Sequence, residues 1–164
     1  MRPSFKGTGK MKVRKSEEED LTALATWFNS QEEATRWGGP KIRFPIDIKQ
    51  LKEDLQWGFA KSFSLVNENE VLGFAQMFDR FGFNHLGRIA IHPAKRGRKL
   101  GHALVSLILD SNAGCHKDYS LFVYDDNPAA IKLYKNFDFE FQPYPKGLPT
   151  KKGSLFMVKK INHS

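Results

Sequence analysis

The segment Ile89-Ala-Ile-His-Pro-Ala-Lys-Arg-Gly-Arg-Lys-Leu-Gly-His-Ala-Leu104 constrains the fold more than any other part of the chain. A short apolar run stops at Pro93, a cationic turn containing Gly97 follows, and apolar residues then recur at helical spacing from Leu100. A strand that passes through a turn into a helix presents several backbone N–H groups together, and the helix dipole adds partial positive charge there. Such a turn suits a phosphorylated ligand. Four cations (Lys95, Arg96, Arg98 and Lys99) with no carboxylate among them sharpen the preference for an anion. A basic surface loop capping a helix would share this composition. Two phosphate motifs are excluded: no Gly-Lys-Ser/Thr follows at P-loop spacing, and the glycines do not fall at G-x-G-x-x-G spacing.

The remaining chain reads as alternating strands and helices. Met11 to Lys15 is a first strand, and Ser16-Glu-Glu-Glu19 has the form of a capping box ahead of Leu21, Leu24, Ala25 and Phe28 at helical spacing. Asp47-Ile-Lys-Gln50 repeats the cap before Ile48, Leu51 and Leu55, and between the two helices lies the turn-rich, aromatic segment 36–45. Residues 61–66 and 71–78 are β-rich runs joined by a hairpin signal at Asn67-Glu-Asn-Glu70, and 84–91 is another strand. Leu100, Ala103, Leu104, Leu107 and Ile108 predict the buried stripe of a helix ended by Gly114. A strand at 119–124 follows, and Asn127-Pro128 is an N-cap and first-turn pair. Strands at 139–141 and 154–159 close the sheet around a Pro-rich loop, 142–149. The predicted order is strand, two helices, three strands, helix, strand, helix, two strands: a mixed α/β sheet.

At 164 residues, a single core is the expectation, and 40% hydrophobic content with 14 Phe suffices to build it. The expected division is a flexible basic tail over residues 1–10 and one domain over 11–161. No apolar run approaches the roughly 20 residues a membrane span requires. The cationic first residues contain no apolar h-region, and the lone Cys115 cannot form an internal disulfide. Both fit a reducing cytoplasm, and one cysteine argues against a Cys-based zinc site, so no metal is expected. The net charge of +8 gives no nucleic-acid face. Residues 1–15, the Arg96 turn and the stretch from Lys146 hold the excess, and the rest of the chain carries −7.

Two segments resemble the GNAT N-acetyltransferase superfamily. Arg96-Gly97-Arg98-Lys99-Leu100-Gly101 is similar to its acetyl-CoA-binding motif Arg/Gln-x-x-Gly-x-Gly/Ala, with Lys99 in place of the first glycine. Asn127-Pro-Ala-Ala-Ile-Lys-Leu-Tyr-Lys-Asn-Phe-Asp-Phe139 resembles Asn-x-x-Ala-x-x-Leu-Tyr-x-x-x-Gly-Phe, with Asp138 in place of the glycine. They occur in the family's order, and the predicted elements match from Met11 onward. The implied fold is a mostly antiparallel sheet of about seven strands flanked by helices, with the fourth and fifth strands splayed apart.

The resemblance implies transfer of an acetyl group from acetyl-CoA to a primary amine of a small molecule or peptide. A non-catalytic acyl-CoA-binding sensor or scaffold is the alternative. Backbone groups along Ile89, Ala90 and Ile91 would pair with the pantetheine amides while the isoleucine side chains serve a core. The N–H groups of Arg96, Gly97, Arg98, Lys99, Leu100, Gly101 and His102 would surround the pyrophosphate. Asn127 matches a coenzyme-contacting Asn and is equally a plain helix cap. Tyr134 matches the Tyr that protonates the coenzyme sulfur, and it would also serve as a packing aromatic. The predicted fourth strand carries no carboxylate, so the candidates for general base are Asp79, Glu32, Glu33 and His85, with water-mediated deprotonation as a further route. Trp37, Phe44 and Tyr144 could wall an amine pocket or simply pack their loops. The expected partners are acetyl-CoA and the amine acceptor, with neither membrane nor specific nucleic acid, and a homodimer is left open.

Overall fold

A computed structural model describes residues 11–161. The basic tail expected over residues 1–10 lies outside the described residues. The elements in order are β1 (Met11–Lys15), α1 (Glu18–Ala25), α2 (Gln31–Gly38), α3 (Ile48–Asp54), β2 (Lys61–Asn67), β3 (Glu70–Arg80), β4 (Phe83–Ile91), α4 (Leu100–Ser111), β5 (Tyr119–Tyr124), α5 (Pro128–Asn136), β6 (Glu140–Gln142) and β7 (Ser154–Lys159). A short 3-10 turn, Pro93–Lys95, separates β4 from α4. The seven strands follow the order β1-β2-β3-β4-β5-β7-β6, with β4 and β5 as the parallel pair. That pairing takes in three residues of β4, Asn84 to Leu86. No helix among the described residues is long and apolar enough to cross a membrane.

The residues form two compact units, the first up to Gln76 with Arg88–Asn112, the second Met77–Gly87 with the residues from Ala113. In the first, Leu21, Leu24, Trp27, Ala34, Ile42, Leu51, Leu55, Phe74 and Ala90 make one apolar cluster. The buried face of α4 is Leu100, Ala103, Leu104, Val105 and Ile108, while Leu107 is half-buried. Gly73 lets β3, β4 and α4 approach: a Cβ there would lie 3.2 Å from Ile91 Cδ1, 3.3 Å from the Ala90 carbonyl and 3.4 Å from Leu104 Cδ2. In the second unit, Tyr119, Leu121, Val123, Tyr134, Phe139, Phe156, Met157 and Val158 are buried. β7 pairs antiparallel with both β5 and β6.

The local expectations need three corrections. A helix, α2, forms over residues for which no element is predicted and runs into the turn-rich segment from residue 36; Ser30 Oγ accepts from Glu33 N at 3.1 Å and Glu33 Oε1 from Asn29 N at 2.9 Å, so capping compensates for its weak apolar stripe. The cap of α1 sits one residue later than Ser16–Glu19: Glu17 N donates to Asp20 Oδ2 at 2.9 Å. Ser16 is buried and its hydroxyl bonds Ser64 Oγ at 2.7 Å, so it is no longer available to the helix. Finally, α4 ends on Asn112 in the left-handed conformation (φ 53°) rather than on Gly114. Gly114 has another task, because a Cβ there would overlap the carboxamide of Asn84.

Candidate active site

The basic turn lies in the first unit and has the backbone of an anion site. Gly97 takes φ 81°, a conformation suited to glycine, and Lys99 follows at φ 59° as the residue preceding α4. At α2, α3 and α5 the residue before the helix (Ser30, Asp47 and Asn127) accepts a backbone N–H of the first turn on its side chain, and at α1 the third residue, Asp20, accepts the N–H of Glu17. In contrast, α4 has no side-chain cap and no acid in its first turn. The start of α4 is therefore left without a capping side chain. Arg96, Arg98 and Lys99 are exposed and have no ion-pair partner among the described residues, whereas Lys95 lies 3.6 Å from Glu70. His102 is exposed and Leu100 buried. Upstream in β4, Ala90 is buried and Ile89 and Ile91 are half-buried, with His92 N donating to Leu72 O at 2.9 Å.

Arg88 also has a left-handed backbone, φ 49°, within β4, the local geometry of a β-bulge. Its side chain explains why the bend is held. Nη1 donates to Gln76 Oε1 at 2.8 Å and Nε to the Gly38 carbonyl at 2.9 Å. Gln76, itself fully buried, donates to the Leu55 carbonyl at 2.7 Å and Ser62 Oγ at 3.0 Å. One saturated network thus ties β4 to the ends of α2 and α3. Sequence reasoning missed it; its only local signal is a lone arginine in a strand with no carboxylate.

Trp37 stacks on Phe28 (centroids 4.4 Å apart) and meets Phe74 edge-on at 6.2 Å. Both Trp37 and Phe44 are half-buried against the core cluster of the first unit. The indole N–H of Trp37 is buried with no hydrogen-bond partner among the described residues, a donor that ordinarily finds one. Tyr144 belongs to the second unit, where its ring lies 5.1 Å from Phe122 and its hydroxyl bonds Ser154 Oγ at 2.7 Å.

In the second unit, Asn127 Oδ1 accepts from Ala130 N at 3.2 Å, so its capping role is present. Tyr134 is buried, its ring 5.9 Å from that of Phe139, and burial pushes its phenol up to about 12. It therefore keeps its proton at neutral pH and can serve as an acid but not as a base. The motif departure at Asp138 has φ 68°, so both places where the family pattern has glycine and this chain does not are left-handed.

The base candidates fare differently from one another. Asp79 Oδ1 lies 2.6 Å from His116 Nε2, and that hydrogen bond holds the carboxyl below its ordinary range. His85 is buried with Nδ1 2.7 Å from Ser120 Oγ, and burial depresses its pKa to about 3. A neutral imidazole of that basicity takes up almost no protons at neutral pH, which removes it as a base. Glu33 caps α2 and Glu32 is exposed.

A family model described as the acetyltransferase (GNAT) family matches residues 21–139. Among similar solved structures is a putative acetyltransferase from Salmonella typhimurium with its cofactor acetyl-CoA, at 19% identity and TM-score 0.67, covering 94% of this chain and 96% of that one. Spermidine N-acetyltransferase from Vibrio cholerae, in complex with CoA and spermine, is similar at 15% identity and TM-score 0.67, with 92% and 94% covered. The ribosomal-protein-S18-alanine N-acetyltransferase from Escherichia coli matches at 22% identity and TM-score 0.66, with 94% and 96% covered. Because the family model takes in most of the chain, from α1 to the end of the Asn127–Phe139 motif, this protein belongs to the GNAT acetyltransferase family.

Proposed function

We propose that this protein transfers an acetyl group from acetyl-CoA to a primary amine on a cationic small molecule or peptide. The observation that carries this reading is the start of α4, where uncapped helix N–H groups, left-handed Gly97 and three unpaired cations coincide. Two phosphates need several donors in one concavity, and a helix start provides them without desolvating many lysines. In this assignment the turn from Arg96 to His102 holds the pyrophosphate. Backbone groups along Ile89, Ala90 and Ile91 pair with the pantetheine arm.

Attack by the amine on the thioester carbonyl forms the C–N bond, and collapse breaks C–S. Tyr134 gives its proton, or a hydrogen bond that strengthens as charge forms, to the departing thiolate. Water, rather than Asp79, removes the amine proton in this reading, because the bond to His116 makes Asp79 a weaker base. The −7 balance outside the basic segments favours a cationic acceptor, and a polyamine is the substrate class of one structural neighbour. Residues 11–161 would act as one acetyltransferase domain in the cytoplasm.

The test is a panel of amines assayed for free thiol released from acetyl-CoA. Polyamines, aminoglycosides and basic peptides should outperform acidic amino acids, with added salt narrowing the difference. Tight acetyl-CoA binding without thiol release on any amine would instead support the acyl-CoA-binding sensor or scaffold, which the carboxylate-free β4 keeps in play.

A further inference from the structure

Acetyl transfer as assigned above leaves three chemically capable side chains unused. Asp79 stands near the end of β3, and Cys115 and His116 lie in the loop between α4 and β5. All three belong to the second unit. A carboxylate oxygen of Asp79, Sγ of Cys115 and a ring nitrogen of His116 lie within 4.8 Å of one another. His116 Nε2 is 2.6 Å from Asp79 Oδ1, and Cys115 Sγ lies beside the same carboxylate. Asp79 and Cys115 are exposed and His116 half-buried, so the cluster is open to solvent.

The backbone under this cluster is held in place. Asn84, 1% exposed, clamps His116 from both sides: its Oδ1 accepts from His116 N at 3.0 Å and its Nδ2 donates to His116 O at 2.7 Å. Asn84 N donates to the Asp118 carbonyl at 2.9 Å, fixing the far end of the same loop. Gly114 admits the Asn84 carboxamide where any side chain would collide with it. A buried carboxamide whose two bonds both go to the backbone of one loop residue fixes His116, and with it the adjoining Cys115, before any ligand arrives. Preorganisation of this kind lowers the cost of binding.

We propose that Asp79, Cys115 and His116 form a binding site for a borderline divalent transition metal, with zinc as the reference ion and water in the fourth position. One oxygen, one sulfur and one nitrogen donor match zinc, while the thiolate disfavours magnesium and calcium. Tetrahedral zinc, with bonds of about 2.0–2.3 Å, separates its ligand atoms by about 3.3–3.8 Å. Reaching that geometry opens the His116–Asp79 contact by about 1 Å and closes the wider separations, at most 4.8 Å now, by up to about 1 Å, through rotation of the side chains. The ion replaces the hydrogen bond now made to Asp79. The Cys115 thiol loses one proton to solvent, the imidazole binds through Nε2 with its proton on Nδ1, and thiolate plus carboxylate balance the 2+ charge. The lone cysteine, which sequence alone sets aside as a zinc ligand, gains its partners from its neighbour His116 and from Asp79, which the fold brings to His116 across 37 positions.

The readouts are metal binding and thiol reactivity, so they stand or fall separately from acetyl transfer. Reduced full-length protein titrated calorimetrically with zinc should bind one ion that depends on Cys115, and cobalt loading should give a thiolate-to-metal charge-transfer band. Cys115→Ser should abolish the band, and Asp79→Asn and His116→Gln should each weaken zinc binding at least tenfold. Because the chain has one cysteine, alkylation by iodoacetamide reports on the site in the unmodified protein. Zinc should slow it at least tenfold, and magnesium should not. Unchanged alkylation with zinc, or an unchanged zinc affinity in Cys115→Ser, would overturn the site and leave the three residues as a hydrogen-bonded surface cluster.

Discussion

Replacing Lys99 with glycine should stabilise the protein, although it deletes a side chain from its most distinctive motif. Lys99 holds φ 59° and ψ 25°, is exposed, and makes no cap hydrogen bond. A left-handed backbone costs an L-residue about 1–2 kcal/mol, a penalty glycine avoids. Against this, glycine's greater freedom in the unfolded chain costs about 0.4–1 kcal/mol. No packing is lost, so the net expectation for Lys99→Gly is a gain of about 0.5–1 kcal/mol. For a chain of this length, that corresponds to a rise of roughly 2–4 °C in Tm per kcal/mol. Gly97→Ala is the opposed control: its φ of 81° strains alanine even though the space around it is open. It should lose about 1 kcal/mol or more. Asp138→Gly, at φ 68°, should gain less than Lys99→Gly, because aspartate tolerates the left-handed region better than lysine. Urea unfolding of the three variants gives the comparison directly. If Lys99→Gly destabilises the protein or Gly97→Ala is neutral, the backbone assigned to this turn is wrong, and the anion site built on it fails with it.

Gly101→Asp should weaken acetyl-CoA binding at least about tenfold, roughly 1.4 kcal/mol, by placing bulk and negative charge in the first turn of α4; unchanged calorimetric affinity in a folded variant would contradict the pyrophosphate assignment. Tyr134→Phe should leave acetyl-CoA affinity nearly intact and lower kcat about tenfold to a thousandfold. With its phenol at about 12, Tyr134 should impose no alkaline fall in rate at ordinary assay pH; a fall that disappears in the Phe variant would mean the hydroxyl titrates lower. His85, neutral when buried, binds its proton more weakly in the folded protein than in the unfolded one. Its contribution to stability is therefore complete above the ordinary imidazole range and declines as pH falls from about 6.5 toward about 3, by up to about 1.4 kcal/mol per pH unit. His85→Gln should flatten that part of the stability–pH curve, and an unchanged slope would show that His85 is not its source.

Much of the fold is legible in the sequence because it is written in short-range pattern. The strands Tyr119–Tyr124 and Ser154–Lys159 occupy the predicted residues, and Asp47 and Asn127 cap the helices they were expected to cap. Each depends on side chains within a few positions of one another, where propensity and hydrogen-bond geometry act alone. The same holds for the turn before α4, whose glycine and cations are contiguous. Tertiary structure decided the rest by bringing distant groups into competition for the same partners. Ser16 could cap α1 in isolation, but Ser64 takes its hydroxyl once β1 and β2 pair. Gly114 could end α4, but Asn112 does so, and the space at Gly114 belongs to Asn84. His85 has the type of a catalytic base, and burial beside Ser120 removes its basicity. Arg88, Gln76 and Gly38 become one network, and Asp79 reaches His116, only because the sheet juxtaposes residues far apart in the chain. Local pattern specifies what each segment can do, whereas desolvation and long-range hydrogen bonds decide which side chains remain available for chemistry.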